Sequence, residues 1–267
     1  VEYQFQVKNI LGLLSGRNSF VIKPAQGSGG KGILVISGRD GENYIKSSGA
    51  LIDEREARRH TSNILAGLHS LGGRNDSAMI EALIDFDPIF KDYSFEGVPD
   101  IRVIVFRGVP VMAMMRCATH SSDGKANLHQ GAVGVGIDIG TGQSICAVQH
   151  DRIISHHPDT GIIFNQLKIP HWQQVLELAA SCASMTGLDY LGADIVLDRQ
   201  GGPMLLELNA RPGLAIQVAN QAGLCHRLAA ADKIADLTDN QAQKIALARQ
   251  QFVQPTAASG QLSMAII

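Results

Sequence analysis

The sequence predicts an α+β protein of mainly antiparallel hairpins, divided into two subdomains. Three observations predict it. Short apolar runs come in pairs joined by turn residues, as in 101–106 with 111–115 and 193–198 with 203–209. Helical patterns lie apart from these pairs, over 53–71, 170–187, 214–222 and 241–252. Between the halves, Asp85-Phe86-Asp87-Pro88 interrupts the pattern and reads as a hinge. The expected organisation is a first subdomain over 1–87, a second over 88–252 and a tail over 253–267.

Taken in order, Val1, Tyr3, Phe5 and Val7 alternate with Glu2, Gln4, Gln6 and Lys8, which predicts a strand with one buried face. Because position 1 is Val and already lies in that pattern, an N-terminal piece is expected to precede it. A strand is predicted over 19–23, stopped by Pro24. The run Gln26-Gly27-Ser28-Gly29-Gly30-Lys31-Gly32 follows, and then a β-branched run over 33–36. A dinucleotide fingerprint needs a helix after its glycines, and a P-loop needs Ser or Thr after its lysine. Neither is present, so the stretch is a strand–glycine loop–strand hairpin. Such a loop can bring bare backbone N–H groups against phosphates, and ordering four glycines is costly unless they are used. Lys23, just upstream, can meet a phosphate as a point charge.

The helix over 53–71 opens on Asp53 with Glu56 three residues on, a capping-box pattern. It carries Ile64, Leu65, Leu68 and Leu71 as a stripe. A strand over 78–84 contains Glu81. Asp100 and Arg102 share a strand face, and Arg116 ends the partner strand. The stretch 118–142 reads as a long irregular loop, a length usually kept for function, and holds Lys125, Asn127, His129 and Gln130. His156 and His157 are expected on the surface. Gly136-Ile137-Asp138-Ile139-Gly140-Thr141-Gly142 resembles the first phosphate motif of the sugar-kinase and actin-like superfamily, but its mid-chain position argues against that role.

The hairpin over 193–209 carries the sharpest chemistry. If Asp198 pairs with Pro203 across Arg199-Gln200-Gly201-Gly202, then Asp194 lies opposite Glu207, with Cβ atoms about 5 Å apart. Asn209 points to the same face as Glu207. Two carboxylates and an amide oxygen at one corner suit Mg²⁺, a hard cation that takes few protein oxygens. Replacing Asp194 or Glu207 by Ala is therefore expected to abolish Mg²⁺-dependent turnover and leave the fold.

Bulk properties bound the rest. The chain has 267 residues, 45% hydrophobic and 18% charged, which is ordinary globular composition. A net charge of −2 gives no electrostatic footprint for nucleic acid. No apolar run nears the roughly 20 residues of a membrane span, and no secretory leader is expected. Cys117, Cys146, Cys182 and Cys225 lack metal or disulfide spacing and are expected reduced and buried in a cytoplasmic protein.

In this order, the segments Phe20-Val21-Ile22-Lys23-Pro24 with its glycine loop, Met79-Ile80-Glu81, Asp100-Ile101-Arg102-Val103, Asn127-Leu128-His129-Gln130-Gly131, Gly192-Ala193-Asp194-Ile195 and Glu207-Leu208-Asn209-Ala210-Arg211-Pro212-Gly213 resemble the ATP-grasp superfamily. Within it the chain is most similar to RimK-type α-L-glutamate ligases and their relatives, over roughly 19–224. The resemblance implies an ATP-grasp fold, two α+β subdomains with mainly antiparallel sheets enclosing a nucleotide cleft. It implies that Lys23, Gly27, Gly29, Gly30, Lys31 and Gly32 hold ATP phosphates, together with Lys125. Glu81, Ala82, Leu83 and Ile84 would receive adenine, and Asp85 would sit near the ribose. Asp194, Glu207 and Asn209 would ligate Mg²⁺, with Mn²⁺ as a substitute. Asn127 and His129 would lie beside the phosphates and the acceptor. Two departures stand out: the family often has Arg where Lys125 stands, and small residues where Arg211 stands. A lysine keeps charge and loses the planar fork.

The implied reaction is ATP-dependent amide formation through an acyl phosphate, with glutamate among the implied amines and small-molecule or peptide carboxylates and amines as partners. Arg102, Arg116, Asn127 and Arg211 are the candidate catalytic groups, and Arg211 and His129 the candidate substrate contacts. A kinase-like phosphotransferase on the same scaffold and a non-catalytic nucleotide-binding protein remain the alternatives.

Overall fold

The computed structural model describes residues 1–27 and 31–254. The chain divides into two compact units, Val1–Ile84 and a second beginning at Asp85.

The first unit opens with a 3₁₀ segment, Gln4–Asn9, that runs into helix α1 (Ile10–Leu14). The predicted N-terminal strand is therefore a helix. Tyr3 and Phe5, two members of its alternating set, are exposed, while Val7, Ile10 and Leu14 are buried. Their spacing of three and four residues is the helical one, and it outweighs the shorter alternation before it. Five strands follow: β1 (Phe20–Pro24), β2 (Leu34–Asp40), β3 (Asn43–Lys46), β4 (Leu51–Ile52) and, after helix α2 (Glu54–Leu65), β5 (Ala78–Glu81). They form one antiparallel sheet in the order β4-β3-β2-β1-β5. Phe20, Ile22, Ile36, Tyr44, Ala57 and Ile64 fill its core.

Helix α2 starts as its sequence requires: the Asp53 carboxylate accepts from the Glu56 N–H at 2.9 Å. It stops at Leu65, short of the predicted end at 71, and leaves Leu68 exposed. Gly67 is the cause. Its φ is +78°, and a Cβ there would collide with the Arg74 carbonyl, so the chain turns back on itself at that point.

The second unit is built on a seven-stranded antiparallel sheet. Its strands are β6 (Asp100–Phe106), β7 (Val109–Cys117), β8 (Val133–Ile137), β9 (Ser144–Gln149), β10 (Arg152–Ile154), β11 (Tyr190–Asp198) and β12 (Gly202–Asn209). The order is β10-β9-β8-β7-β6-β11-β12, so β6 and β11, distant in sequence, are central neighbours. Helix α3 (Trp172–Thr186) packs on β6, β7, β11 and β12 and ends at Gly187, φ +68°, as its sequence predicts. Helix α4 (Ile216–Asn220) packs on β7, β8 and β9, while α5 (Leu224–Leu237) and α6 (Gln241–Phe252) pack on β7 and on each other. Leu214 and Ala215, predicted helical, precede α4, and α5 has no counterpart in the sequence reading.

Strand β8 runs through the stretch predicted as loop. Its Val-Gly-Val-Gly-Ile pattern disguises it, because glycine is a poor strand former. The packing explains both glycines. A Cβ on Gly134 would press on the Leu128 side chain, and one on Gly136 would collide with the Ala219 carbonyl of α4. The glycine face of the strand is the face the helix backbone lies against.

The corner after β8 disposes of the mid-chain phosphate-like motif. Asp138 Oδ1 accepts from Thr141 N at 2.7 Å and Thr141 Oγ1 at 2.8 Å, and Oδ2 accepts from Gln254 N at 2.6 Å. Arg249 caps the Gly140 carbonyl. The Asp138 carboxylate, the Thr141 N–H and hydroxyl and the Gly140 carbonyl are thus engaged in closing the turn. The tail predicted from 253 onward lies, after Gln254, outside the described residues.

Candidate nucleotide and metal site

In the first unit, the Lys23 side chain belongs to β1. Lys23 is in register with Met79 of β5, so Glu81, two residues along, shares its sheet face. The result is an ion pair, Lys23 Nζ to Glu81 Oε2 at 2.7 Å, with side-chain exposures of 18% and 37%. Such a pair contributes no more than about 1 kcal/mol and is readily exchanged for another anion. Ala82, Leu83 and Ile84 follow β5 directly. Of the glycine-rich loop, Gly27 bridges to Ser70, Lys31 is exposed, and Gly32 is left-handed with φ +78°. Gly29 and Gly30 lie outside the described residues.

In the second unit, the Asp–Glu hairpin forms with Asp194 opposite Glu207. The register at the turn differs from the sequence expectation: Asp198 pairs with Gly202 and Leu197 with Pro203. A bulge at Leu206, between the Ile195↔Leu205 and Asp194↔Glu207 pairs, takes up the one-residue offset and restores the expected alignment at the carboxylates. Asn209 Nδ2 lies 3.2 Å from Asp194 Oδ2 and 3.3 Å from Glu207 Oε1, so the three predicted side chains share one corner.

The neighbouring strands add a second feature. Arg102 stands opposite Asp194 across β6 and β11, and Asp100 stands opposite Arg116 across β6 and β7. Arg102 grips Asp194 with two parallel bonds, Nε to Oδ1 at 2.7 Å and Nη2 to Oδ2 at 2.6 Å. Arg116 bridges the two acids, donating from Nε to Asp100 Oδ1 and from Nη2 to Asp194 Oδ2, each at 2.6 Å. A row of charge thus crosses β12, β11, β6 and β7, and Asp194 at its centre is fully buried.

Burial alone would raise the Asp194 pKa, but Arg102 and Arg116 overcome it and hold the carboxyl below its usual range. Burial pushes Asp100 up to about 6 against the pull of Arg116. Burial would lower Arg116, yet Asp100 and Asp194 raise it further, so it stays charged. Glu207 is pushed up by burial and by the facing Asp194. Among the described residues its nearest cation is Arg102, at 4.0 Å, and at closer range it accepts from Asn209.

That imbalance is the test of whether a divalent ion fits. Asp194 Oδ2 already accepts three donors, while Oδ1 accepts one and keeps a lone pair. Asn209 donates through Nδ2 and keeps its Oδ1. With Glu207, three hard oxygens remain at the corner, which fits the few-ligand demand of Mg²⁺. Among the described residues, no group of three His, Cys, Asp or Glu could hold a metal, so the amide oxygen of Asn209 is needed to complete any set.

The remaining predicted residues lie elsewhere in the second unit. Asp85 is exposed, 3.4 Å from Arg199 Nε, and its N–H donates to Asp198. Lys125 pairs with Asp123 at 3.2 Å. Asn127 caps the short turn Leu128–Gln130 by accepting from the His129 N–H at 3.0 Å, and His129 itself is exposed. Arg211 is exposed and forms no ion pair among the described residues. His157, expected at the surface, is buried: Nε2 donates to the Ala118 carbonyl, and Nδ1 accepts from Asp159 and Thr160. Cys225, expected buried, is exposed. Sequence reasoning gave Asp100 no role, although its place two residues before Arg102 put it on the correct face.

The two antiparallel sheets with their helices are the ATP-grasp fold. The chain belongs to the sugar-transfer associated ATP-grasp family, whose family model matches residues 1–233. Among solved structures it is similar to D-cycloserine synthetase DcsG, at 14% identity over 94% of this chain and 62% of that one, TM-score 0.43. It is similar to the ATP-grasp ligase PsnB complexed with minimal precursor, at 14% identity over 92% and 52%, TM-score 0.41. A RiPP-associated ATP-grasp ligase from Chryseobacterium gregarium gives 10% identity over 88% and 54%, TM-score 0.41. The chain therefore spans between half and two thirds of the length of these proteins. No curated protein matches it.

Proposed function

We propose that the protein is an ATP- and Mg²⁺-dependent carboxylate–amine ligase that forms an amide through an acyl phosphate, similar to the RimK type and with glutamate as a candidate amine. The observation that carries the reading is the corner of Asp194, Glu207 and Asn209 set beside two clamped guanidinium groups. Mg²⁺, or Mn²⁺ in its place, would be held by those three oxygens and would neutralise phosphate charge. Arg102 and Arg116 are fixed from one side by carboxylates, and the Nη1 group of each makes no hydrogen bond among the described residues. Preorganised donors of this kind stabilise charge that develops on a transferred phosphoryl group without reorganising at the moment of reaction.

Lys23 exchanges Glu81 for a phosphate oxygen, aided by Gly27, Gly29, Gly30, Lys31 and Gly32, and Lys125 contributes a further charge. Glu81 to Ile84 receive adenine, and Asp85 the ribose. The substrate carboxylate attacks the γ-phosphorus and ADP leaves. The amine then attacks the acyl carbon and phosphate leaves. Asn127, His129 and Arg211 contact the substrates, and the exposed Arg211 guanidinium suits a carboxylate. We assign the two subdomains to 1–84 and 85–252, a boundary three residues before the expected one at 87/88. Four free cysteines support a reducing, cytoplasmic setting.

Mass spectrometry after incubation with ATP, Mg²⁺ and a panel of acids and amines tests this. The panel includes amino acids, peptides, amino sugars and uronic acids, because the family is described as sugar-transfer associated. The expected products are ADP, phosphate and an amide. A phosphorylated substrate without an amide would make the protein a kinase, and nucleotide binding without ADP across the panel would make it non-catalytic.

A further inference from the structure

The two faces of the first sheet carry different charges. Lys23 and Glu81 share one face, where they pair. Lys46, the last residue of β3, stands opposite the buried Ile36 and two residues past the buried Tyr44. It therefore lies on the other face, with the core and α2. Three lysines are half-buried among the described residues: Lys23, Lys46 and Lys244. Lys23 has Glu81, and Lys244 donates to the Arg107 carbonyl at 3.1 Å. Lys46 Nζ has neither an ion pair nor a hydrogen-bond partner among the described residues, and Lys46 lines a cavity of about 150 Å³.

The facing wall of that cavity is one side of α2. Glu56, Arg59, His60 and Asn63 recur at the helical spacing of three and four residues and line it together. The Asn63 side-chain amide also has no partner among the described residues. Arg59 reaches Glu56 at 3.5 Å, with side chains 73% and 45% exposed, a contact that an entering anion can replace at little cost. Burial lowers the His60 pKa, and the His69 and Lys46 charges lower it further against the pull of the Gly32 carbonyl, so the Lys46 charge is felt across the cavity. Lys46 and Arg59 outnumber Glu56 in the lining. An ammonium half out of water, next to the buried Leu34 and Ile52, gains more from a counter-ion than one in bulk solvent.

We propose that this cavity between β3 and α2 is a binding site for a phosphate-type oxyanion, with Lys46 as its charge, Asn63 as a neutral donor and Arg59 as a rim cation released from Glu56. A compact ammonium with donors arriving from a strand and a helix suits a tetrahedral anion, whereas a planar carboxylate favours the guanidinium fork. The site stands apart from the nucleotide reading. Its side chains lie on the sheet face opposite Lys23, so it holds whether or not the protein is a ligase.

Titration calorimetry of the whole chain with inorganic phosphate, against chloride at matched ionic strength, tests this, with glycerol phosphate as the ester probe. Wild type is expected to take up phosphate and not chloride. Lys46→Met is expected to weaken phosphate about tenfold, roughly the value of one charge-assisted hydrogen bond, at an unchanged melting temperature. Asn63→Ala should weaken it about threefold, the share of a neutral donor, and serves as the test should Lys46→Met fail to fold. Lys23→Met, on the other face, should leave phosphate within about twofold. Uptake of phosphate with exclusion of the ester would assign the site to the free ion, and equal uptake of both to a phosphate carried on a small molecule. No uptake by wild type, or uptake matched by chloride, would overturn the proposal. Uptake that survives Lys46→Met and Asn63→Ala but falls with Lys23→Met would put the anion on the nucleotide face and overturn it equally.

Discussion

Two charged groupings of the molecule, one in each unit, are held in opposite ways. In the first unit, Lys23 meets Glu81 in a single contact at a partly exposed sheet face. In the second, Asp194 is fully buried and its two oxygens take four donors from Arg102, Arg116 and Asn209. An exposed single-point pair costs little to open, because water and a new partner replace what is lost. A buried, bidentate set cannot open without stranding a charge. The difference separates a cation that can be handed to a ligand from cations that belong to the scaffold and offer a ligand only their unused N–H groups.

The largest effect should come from breaking the buried set. Asp194→Ala strips Arg102 of its bidentate partner and Arg116 of one of its two acids, and should cost about 3–5 kcal/mol in chemical denaturation. The sequence-based expectation that this change leaves the fold is thereby revised. Glu207→Gln, on a side chain 59% exposed, should leave stability within about 1 kcal/mol while removing divalent-ion dependence, so the two carboxylates of one predicted pair separate cleanly. A middle case is Gly136→Ala in β8, where the added methyl meets backbone rather than a movable side chain; a loss of about 1–3 kcal/mol is expected from the denaturation midpoint.

Asp100 should set a pH dependence. Its folded pKa, raised to about 6, exceeds the ordinary carboxyl value of 3.8. Between those values the folded state binds the proton more tightly than the unfolded chain, so its contribution to stability declines as pH rises through that window. Stability of wild type relative to Asp100→Asn, followed from pH 4 to 6, should fall; a rising difference would contradict the assignment. The smallest effect on stability belongs to the first unit. Lys23→Met should change it by less than about 1 kcal/mol, yet weaken ATP by about tenfold in calorimetry.

What was legible in the sequence follows the same division between local and distant. The Asp194–Glu207 alignment could be read because a hairpin fixes its own register, and the Leu206 bulge happened to cancel a misplaced turn. Helix α6, capped by Asn240 onto the Gln243 N–H, and the end of α3 at Gly187 are local signals and were found. Strand β8 was missed because its glycines answer to α4, whose approach no local window contains. The grip of Arg102 and Arg116 on Asp194 depends on β6 lying beside β11, a pairing of strands some ninety positions apart. Composition could not reveal it. The bonds of Asp76 to Gln26 and of His60 to Gly32 were invisible for the same reason, because each joins residues far apart in the chain.

The proposed role of the Asp194, Glu207 and Asn209 corner is to take a divalent ion together with nucleotide. Electron paramagnetic resonance of Mn²⁺, titrated into wild type and Glu207→Gln with and without ATP, tests it most directly. Wild type is expected to show ATP-dependent loss of the free Mn²⁺ signal, beyond that of ATP alone, and a Glu207→Gln variant of unchanged melting temperature to show none. Equal Mn²⁺ uptake by the two proteins would contradict it.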